Sequence, residues 1–299
     1  MTYFYQVFGL TCSSEIELPA LLSIDNPPII DFEVKLADKL PEFDTAPNVV
    51  KPFSSFNEWE FLYNFPDVAG YYVRDGNTIW VKPNCIDWDS ILLFFYSNAL
   101  AAILFQRNLM PFHVSGVLDA KGYAWLFSAP SRTGKSTTAI MLQDLGYRLF
   151  TDDTCLLAVR EEGVFAVPSY PMLRAWKPTL DQQQVHSKVD AFQIRADVEK
   201  FGVYFHDHFV TQPALVKGIF FLEMDGDQIL IEPQKPSLGM QALGNNVYRR
   251  QWIFGMKKQV LQFQYITSIA KQVDFFKATR PKDKPSFKEF AQAIHLQIL

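Results

Sequence analysis

The sequence of 299 residues is poor in cysteine, with only Cys12, Cys85 and Cys155, which lie far apart. An odd number of isolated cysteines argues against a disulfide framework and against a zinc site. Scarce, unpaired cysteine also fits a reducing compartment, and we therefore predict a cytoplasmic location.

The chain also lacks a surplus of positive charge, since its formal net charge is −4. No zinc-finger, RNP or basic-helix pattern is present either, so we predict no nucleic-acid partner. The amino-terminal residues carry charge early and lack the basic segment of a signal peptide, so we expect no secretion signal.

A hydrophobic run long enough for a membrane span is absent as well. The most apolar stretch, Ile91 to Phe105, has 15 residues and includes Ser97 and Asn98, whereas a spanning helix needs roughly 20. We predict that a helix from about Asp89 to Gln106 is buried in the core and that the protein has no membrane partner.

The composition itself, 48% hydrophobic and 15% aromatic, is enough for one or two domains with a substantial core. The first 86 residues carry strand patterns, such as the alternating DFEVKL and a hairpin that turns at Asp75-Gly76. Later residues mix strands and helices. We predict an α/β fold with a strand-rich amino-terminal portion, residues 1–86, and a second domain, residues 87–299.

Three patterns in the last third predict further elements. The segment VKGIFFLEMDGDQILIEP predicts a hairpin that turns at Asp225-Gly226. Ser286 and Glu289 form a capping box that would start a final helix. A helix before it would bury one apolar stripe, made of Val260, Phe263, Thr267, Ala270 and Val273.

The stretch SAPSRTGKSTTA, Ser128 to Ala139, has the pattern of a phosphate-binding loop. A predicted strand precedes Gly134-Lys135-Ser136 and a predicted helix follows, which is the context that this motif requires. Lys135 would reach the β- and γ-phosphoryl oxygens, and the Ser136 hydroxyl would bind Mg²⁺. The predicted nucleotide-binding residues are Ser131, Arg132, Thr133, Gly134, Lys135, Ser136 and Thr137.

The loop departs from the usual pattern at two positions. Ala129 replaces the first glycine, which is tolerable only if its φ is negative. Pro130 has no N–H, so the loop loses one phosphate donor. Arg132 at the centre of the loop could compensate by meeting a phosphate oxygen.

Two aspartates, Asp152 and Asp153, follow soon after the loop. The predicted helix runs roughly 15 Å away from the phosphates, and the strand YRLFT returns by about the same distance. Both carboxylates should therefore lie level with the loop. Neighbouring strand residues face opposite sides, so one carboxylate can serve Mg²⁺ and the other can accept a hydroxyl proton.

His113 precedes the loop on a predicted hairpin. A turn centred between Ala120 and Lys121 would place it opposite Ser128, at the mouth of the loop. There it could contact the transferred phosphoryl group or tune a carboxylate. A strand-end histidine bonded to the backbone is an equal alternative.

The histidine, the Gly-Lys-Ser loop and an Asp-Asp pair that begins 17 residues after Lys135 resemble the HPr kinase/phosphorylase family. The segments FHVSGVLDAKGYAWLFSAPSRTGKST and LQDLGYRLFTDD look like parts of the catalytic-domain sequence of that family. The resemblance implies a P-loop domain of HPr kinase/phosphoenolpyruvate carboxykinase type over residues 87–299. It also implies a serine kinase that uses ATP and Mg²⁺.

Individual roles follow from the same resemblance. It implies that Lys135 and the loop bind ATP and that Ser136 and Asp153 hold Mg²⁺. Asp152 would be the base on the acceptor hydroxyl, and His113 would support the phosphoryl site.

The acceptor is predicted from the amino terminus. YFYQVFGLTCSSEIELPAL looks like the start of HPr-kinase-like enzymes of peptide natural-product pathways, which include kinases acting on a serine of lasso-peptide precursors. We expect a serine of a small ribosomally made peptide. The alternatives are a kinase for HPr, whose second family signature is not visible here, or for another protein, and a non-catalytic nucleotide-binding module.

Three arginines are weaker candidates for the substrate site. Arg174 lies in YPMLRAWKP, and Arg249 and Arg250 lie in GNNVYRRQW. Solvated surface charge is the plain alternative for each. The sequence leaves open the choice between ATP, GTP and pyrophosphate, the occurrence of phosphorolysis, and a homo-oligomeric state.

Overall fold

A computed structural model describes residues 1–176, 191–195, 198–282 and 286–299 of this mixed α/β protein. The helices are α1 (Trp88–Phe94), α2 (Leu100–Gln106), α3 (Lys135–Gln143), α4 (Pro236–Asn245), α5 (Gln259–Ala270) and α6 (Phe287–Ile298). The strands are β1 (Tyr3–Val7), β2 (Leu10–Ser14), β3 (Leu22–Ser23), β4 (Phe32–Leu36), β5 (Val49–Val50), β6 (Ser54–Phe56), β7 (Glu60–Phe65), β8 (Ala69–Arg74), β9 (Thr78–Pro83), β10 (Pro111–Phe112), β11 (Val114–Leu118), β12 (Ala124–Ser128), β13 (Arg148–Thr151), β14 (Cys155–Arg160), β15 (Gly163–Pro168), β16 (Met172–Trp176), β17 (Ala191–Arg195), β18 (Val198–Tyr204), β19 (Ala214–Met224), β20 (Leu230–Pro233) and β21 (Asp274–Arg280).

The first nine strands form one sheet in the order β3-β1-β2-β4-β9-β8-β7-β6-β5. Phe32 and Val34 of β4 are buried, as their alternation with charged residues predicted. The predicted hairpin of β8 and β9 is confirmed, and Asp75 and Gly76 supply the positive φ values of its turn, 53° and 64°. The predicted domain boundary near residue 87 stays a prediction.

A nearly continuous helix links this sheet to the rest of the chain. It runs from Trp88 to Gln106, and five residues, Phe95–Ala99, form a π-helical turn between α1 and α2. Its length and hydropathy would suffice for a membrane span, but 72% of that window is buried inside the protein. The prediction of a buried core helix is confirmed.

A second sheet has the order β10-β14-β15-β19-β12-β11-β13 and is extended by β21 and β20. Within it β12, β19 and β21 are parallel neighbours, so their carboxyl ends share one edge. Ligand sites of α/β folds form at such an edge. A third sheet, β16-β18-β17, adjoins α3 through β16.

The hairpin of β11 and β12 is shifted by one residue from the predicted register. Val114, not His113, lies opposite Ser128. The turn is centred on Lys121 because the Asp119 carboxylate accepts hydrogen bonds from the backbone N–H groups of Lys121 and Tyr123. His113 therefore lies one residue beyond the end of β12.

Of the three predictions for the last third, the hairpin is wrong and the other two are confirmed only in part. β20 does not pair with β19, because β21 lies between them. Val260 and Phe263 of α5 are 70% and 67% exposed, against the prediction, whereas Ala270 and Val273 of the predicted stripe are buried. The helix also buries Ile266 and Ile269. The final helix does begin after Ser286, but no capping hydrogen bond forms from its hydroxyl.

Candidate active site

The loop between β12 and α3 turns at the parallel edge of the second sheet. Arg132 and Gly134 have positive φ values of 69° and 111°, whereas Ala129 does not, so alanine fits there without strain. A side chain at Gly134 would be strained, because its φ is positive and an added Cβ would lie 2.6 Å from Cε1 of Phe287. Helix α3 begins at Lys135, directly after this loop, so its first backbone N–H groups have no partner within the helix.

The end of α3 returns the chain toward the loop. Gly146 has a φ of 89°, and the N–H groups of Tyr147 and Gly146 donate to the carbonyls of Leu142 and Gln143. These are the two bonds of a Schellman motif, which ends the helix and reverses the chain. β13 then pairs with β11 and carries Asp152 back to the start of α3.

Asp152 is the best-supported carboxylate of the site, and only 1% of it is exposed. Its Oδ1 accepts hydrogen bonds from the Ser115 hydroxyl and, at 2.7 Å, from the Ser136 hydroxyl. Its Oδ2 accepts the backbone N–H of Arg174 at 2.8 Å. The structure thus brings Ser136 to Asp152, whereas the sequence had paired Ser136 with Asp153.

Asp153 points away from its neighbour because the strand has already ended at Thr151. The Thr154 N–H donates to the Asp152 carbonyl, and Asp153 between them has a φ of 66°. This is the rare γ-turn with a positive φ at its centre, a strained conformation of the kind found at functional sites. The turn separates the two carboxylates, as different roles require.

The Asp153 side chain is 12% exposed and faces two basic groups. Its Oδ2 lies 2.8 Å from Nη1 of Arg174, and its Oδ1 lies 3.7 Å from Nδ1 of His113. The buried guanidinium of Arg174 also donates to the Tyr170 hydroxyl at 3.0 Å. Arg174 is therefore not the solvated surface charge that was its plain alternative.

His113 links Asp153 to the loop lysine. Its Nδ1 lies 2.7 Å from the Asp153 carbonyl, and its Nε2 lies 3.0 Å from Nζ of Lys135. Burial lowers the pKa of His113, the charge of Lys135 acts in the same direction, and the Asp153 carboxylate opposes both. A neutral ring that donates from Nδ1 and accepts from the lysine at Nε2 satisfies every contact.

Lys135 itself is buried and contacts the backbone of the loop. Its ammonium group donates to the Ala129 carbonyl at 2.8 Å and to the Pro130 carbonyl at 3.3 Å. These contacts hold the charge at the mouth of the loop, where a phosphate would arrive. Around it Thr133 and Thr137 are buried, while Ser131 and Arg132 are exposed.

The other two substrate candidates lie to the side of this cluster. Arg249 donates from Nε to the Ser97 carbonyl at 3.0 Å and stacks over the rings of Tyr248 and Trp252. The Tyr248 ring centre is 5.9 Å from that of His113. Arg250 is exposed, and Lys177 and Pro178 of the segment YPMLRAWKP lie outside the described residues.

Among the described residues, Ser115, Tyr170 and Tyr248 contact Asp152, Arg174 and His113, respectively, and were not predicted. Ser115 follows His113 by two positions, so strand periodicity would have placed both on one face. Tyr170 and Tyr248 occur in the two segments that were singled out for their arginines. Without the contacts that join distant elements, neither tyrosine carried a signal of its own.

Oxygen donors for a metal are few. In the parts of the chain that the structure describes, no group of three or more His, Cys, Asp or Glu side chains could hold a metal ion. Mg²⁺ commonly binds through one or two protein oxygens and completes its shell with phosphate and water. The Ser136 hydroxyl and the Asp152 carboxylate are a donor pair of this kind.

Comparison with known proteins yields a structural likeness and no sequence relative. No family model and no curated protein matches the chain. Among solved structures, the HPr(Ser) kinase/phosphatase from Coxiella burnetii matches with a TM-score of 0.31 and 13% identity, over 63% of this chain and 97% of the other.

Proposed function

We propose that this protein is a kinase that transfers the γ-phosphoryl group of ATP, with Mg²⁺, to a hydroxyl group. The observation that carries the proposal is the contact between Ser136 and Asp152 at the start of α3. It joins a phosphate-loop serine to a buried carboxylate, while a second carboxylate, Asp153, faces another way. Phosphoryl transfer requires one group that binds Mg²⁺ and another that accepts the proton of the acceptor hydroxyl.

Ser136 and Asp152 are the residues that we propose to hold Mg²⁺. The geometry favours this pair over Ser136 with Asp153, since only Asp152 lies within hydrogen-bonding distance of the serine. When bound, the ion would neutralise charge on the transferred phosphoryl group. Ser115 and the Arg174 N–H hold the Asp152 carboxylate in place for this task.

Asp153 is then the proposed general base. It is more exposed than Asp152, so an acceptor hydroxyl can approach it. As the acceptor oxygen bonds to phosphorus, its proton passes to the Asp153 carboxylate, and the bond to the departing ADP breaks. Arg174 and Lys135 would stabilise the negative charge on the phosphoryl oxygens and on the leaving group.

The proposed acceptor is the serine hydroxyl of a small ribosomally made peptide, in the cytoplasm. The sequence words at the amino terminus support this choice. HPr or another protein remains the first alternative acceptor. A non-catalytic nucleotide-binding module is favoured by Ala129 and Pro130, but such a module has no use for a carboxylate placed as a base.

A phosphorylation assay, in which mass spectrometry detects the phosphoryl group gained by the acceptor, tests the proposal. The protein is incubated with Mg·ATP and a panel of peptides that end in serine, and separately with HPr. Lys135→Ala is the matched inactive control. A phosphoryl gain on a peptide that requires Lys135 supports the peptide kinase, and a gain on HPr alone supports the first alternative. Nucleotide binding with no transfer to any acceptor would favour the module.

A further inference from the structure

Arg280, the last residue of β21, contacts the phosphate loop and is only 6% exposed. Its Nη2 donates to the Thr133 carbonyl at 3.3 Å and approaches Sδ of Met224 at 3.0 Å, and its Nη1 donates to the Pro281 carbonyl. The guanidinium carbon lies 4.0 Å from the centre of the Phe287 ring. Among the described residues, no carboxylate pairs with it.

A buried cation without a carboxylate is unusual and calls for a reason. Arg174 is just as buried but has Asp153 at 2.8 Å. Burial lowers the pKa of Arg280, and no carboxylate of the described residues opposes that shift. Taking an arginine out of water is unfavourable unless the charge is used. The polar group that it reaches on the phosphate loop is the peptide link between Thr133 and Gly134.

The geometry of that link indicates the use. In a trans peptide the C=O and the next N–H point in opposite directions. Because the Arg280 guanidinium holds the Thr133 carbonyl, the Gly134 N–H is directed to the opposite side of the peptide, away from the guanidinium. A cation at the carbonyl also strengthens the dipole of the peptide toward an anion.

We propose that Arg280 is a positioning residue of the phosphate site, which orients and polarises the Thr133–Gly134 peptide toward bound phosphate. The proposal rests on the proposed function of the loop. It also accounts for how the loop tolerates Pro130, which lacks an N–H donor. The Phe287 ring packs against the guanidinium and against Gly134, and it helps to fix the position of both.

Calorimetric titration of inorganic tripolyphosphate with Mg²⁺ into the full chain tests this without any acceptor. Arg280→Gln retains a donor for the Thr133 carbonyl but removes the charge, and Arg280→Lys retains the charge. We expect Arg280→Gln to weaken binding about tenfold and Arg280→Lys to recover most of the loss. The loss should shrink from tripolyphosphate to pyrophosphate to phosphate, a dependence on ligand charge that damage to the fold would not produce.

Lys277→Met is the matched control. Lys277 lies on the same strand and carries the same charge, but it pairs with Glu223 at 2.9 Å. The Lys277→Met variant should bind tripolyphosphate with the affinity of the parent protein. Parent-like affinity in Arg280→Gln, or an equal loss for all three anions, would overturn the inference. If Lys135→Ala leaves the affinity unchanged as well, the proposed function fails; if only Lys135 matters, the inference about Arg280 alone fails.

Discussion

Two carboxylates of this protein, Glu60 and Asp152, are similarly buried but differ in where their hydrogen-bond donors come from. In the first sheet Glu60 accepts hydrogen bonds from the backbone of Asp44 and Thr45, from Asn57 and from the Tyr72 hydroxyl. All of these donors belong to that sheet and its loops. At the candidate active site, Asp152 draws its donors from β11, α3 and β16.

The comparison shows that burial and hydrogen bonding alone do not identify a functional carboxylate. Burial acts to raise the pKa of Glu60, but the bonds from Tyr72, Asn57 and two backbone amides outweigh it and hold the pKa below its ordinary value. Such a saturated, local network stabilises a sheet. The aspartates, by contrast, lie where the proposed phosphate loop, a lysine and an arginine converge, so we expect their loss to affect phosphoryl transfer.

The largest expected effects are those of Asp152→Asn and Asp153→Asn. Asp153→Asn should keep Mg·ATP binding and lose transfer by roughly 10²–10⁴-fold, because an amide cannot take the hydroxyl proton. Asp152→Asn should weaken the metal site, so raised Mg²⁺ should partly restore transfer. Single-turnover phosphorylation of a peptide acceptor across a Mg²⁺ series measures both.

The opposite pattern would exchange the two roles. Mg²⁺ rescue of Asp153→Asn, without rescue of Asp152→Asn, would return them to the assignment that the family resemblance implies. If neither variant slows transfer, the aspartates belong with Glu60 as structural groups.

Loss of the Glu60 carboxylate should lower the stability of the protein and leave its phosphorylation activity unchanged. We expect Glu60→Gln to lower the free energy of unfolding by about 1–3 kcal/mol, since buried donors lose a charged acceptor. A carboxyl whose folded-state pKa is lowered contributes stability above its unfolded pKa, and that contribution is lost as the pH falls. Urea unfolding at pH 7 and pH 4 should therefore show a smaller difference between variant and parent at pH 4.

An unchanged phosphorylation rate in the same Glu60→Gln preparation is the control. A loss of transfer at parent-like stability would contradict the division between the two clusters.

The pH dependence of transfer should report His113. Its pKa is lowered by burial, so the neutral ring persists below its usual range near 6.5. Protonation at lower pH removes the acceptor for Lys135, and transfer should fall there. We expect His113→Gln to lower the rate of transfer about tenfold at pH 7.5. Its pH–rate profile should also lack the part of the decrease at low pH that is caused by protonation of the histidine. A pH–rate profile with an identical limb in both proteins would assign the titration to another group.

The smallest effects are expected at Arg249 and Arg250. Arg249→Ala removes one hydrogen bond to Ser97 and two ring contacts, which should lower stability by about 1 kcal/mol. Arg250→Ala, at an exposed position, should change stability by less than about 0.5 kcal/mol. A rise in the KM for the peptide in either variant, with kcat unchanged, would show that the arginine contacts the acceptor.

Local patterns predicted the site better than they predicted its surroundings. The strand, loop and helix around Lys135, the helix stop at Gly146 and the return of Asp152 all depend on short-range geometry. The pairing of β21 between β19 and β20 depends on a strand 50 residues further along the chain. No turn signal at Asp225-Gly226 could reveal that insertion.

Side-chain partners were the least predictable part of the site. The strand alternation that assigned the aspartates assumed that the strand continues through them. It ends at Thr151, and the positive φ of Asp153 decides which carboxylate meets Ser136. Arg280 carried no signal in its strand DFFKATR, because its partner, the Thr133 carbonyl, is a backbone group 147 residues away.

Calorimetric titration of Mg·ATP into the parent protein and into Lys135→Ala tests the central claim most directly. Nζ of Lys135 lies with the carbonyls of Ala129 and Pro130 at the mouth of the loop, not in a core. We predict saturable binding in the parent, a loss of about 10²-fold or more in the variant, and a variant that remains folded. Equal affinity in the two proteins, or no binding to the parent, would contradict the assignment of this loop as a nucleotide site.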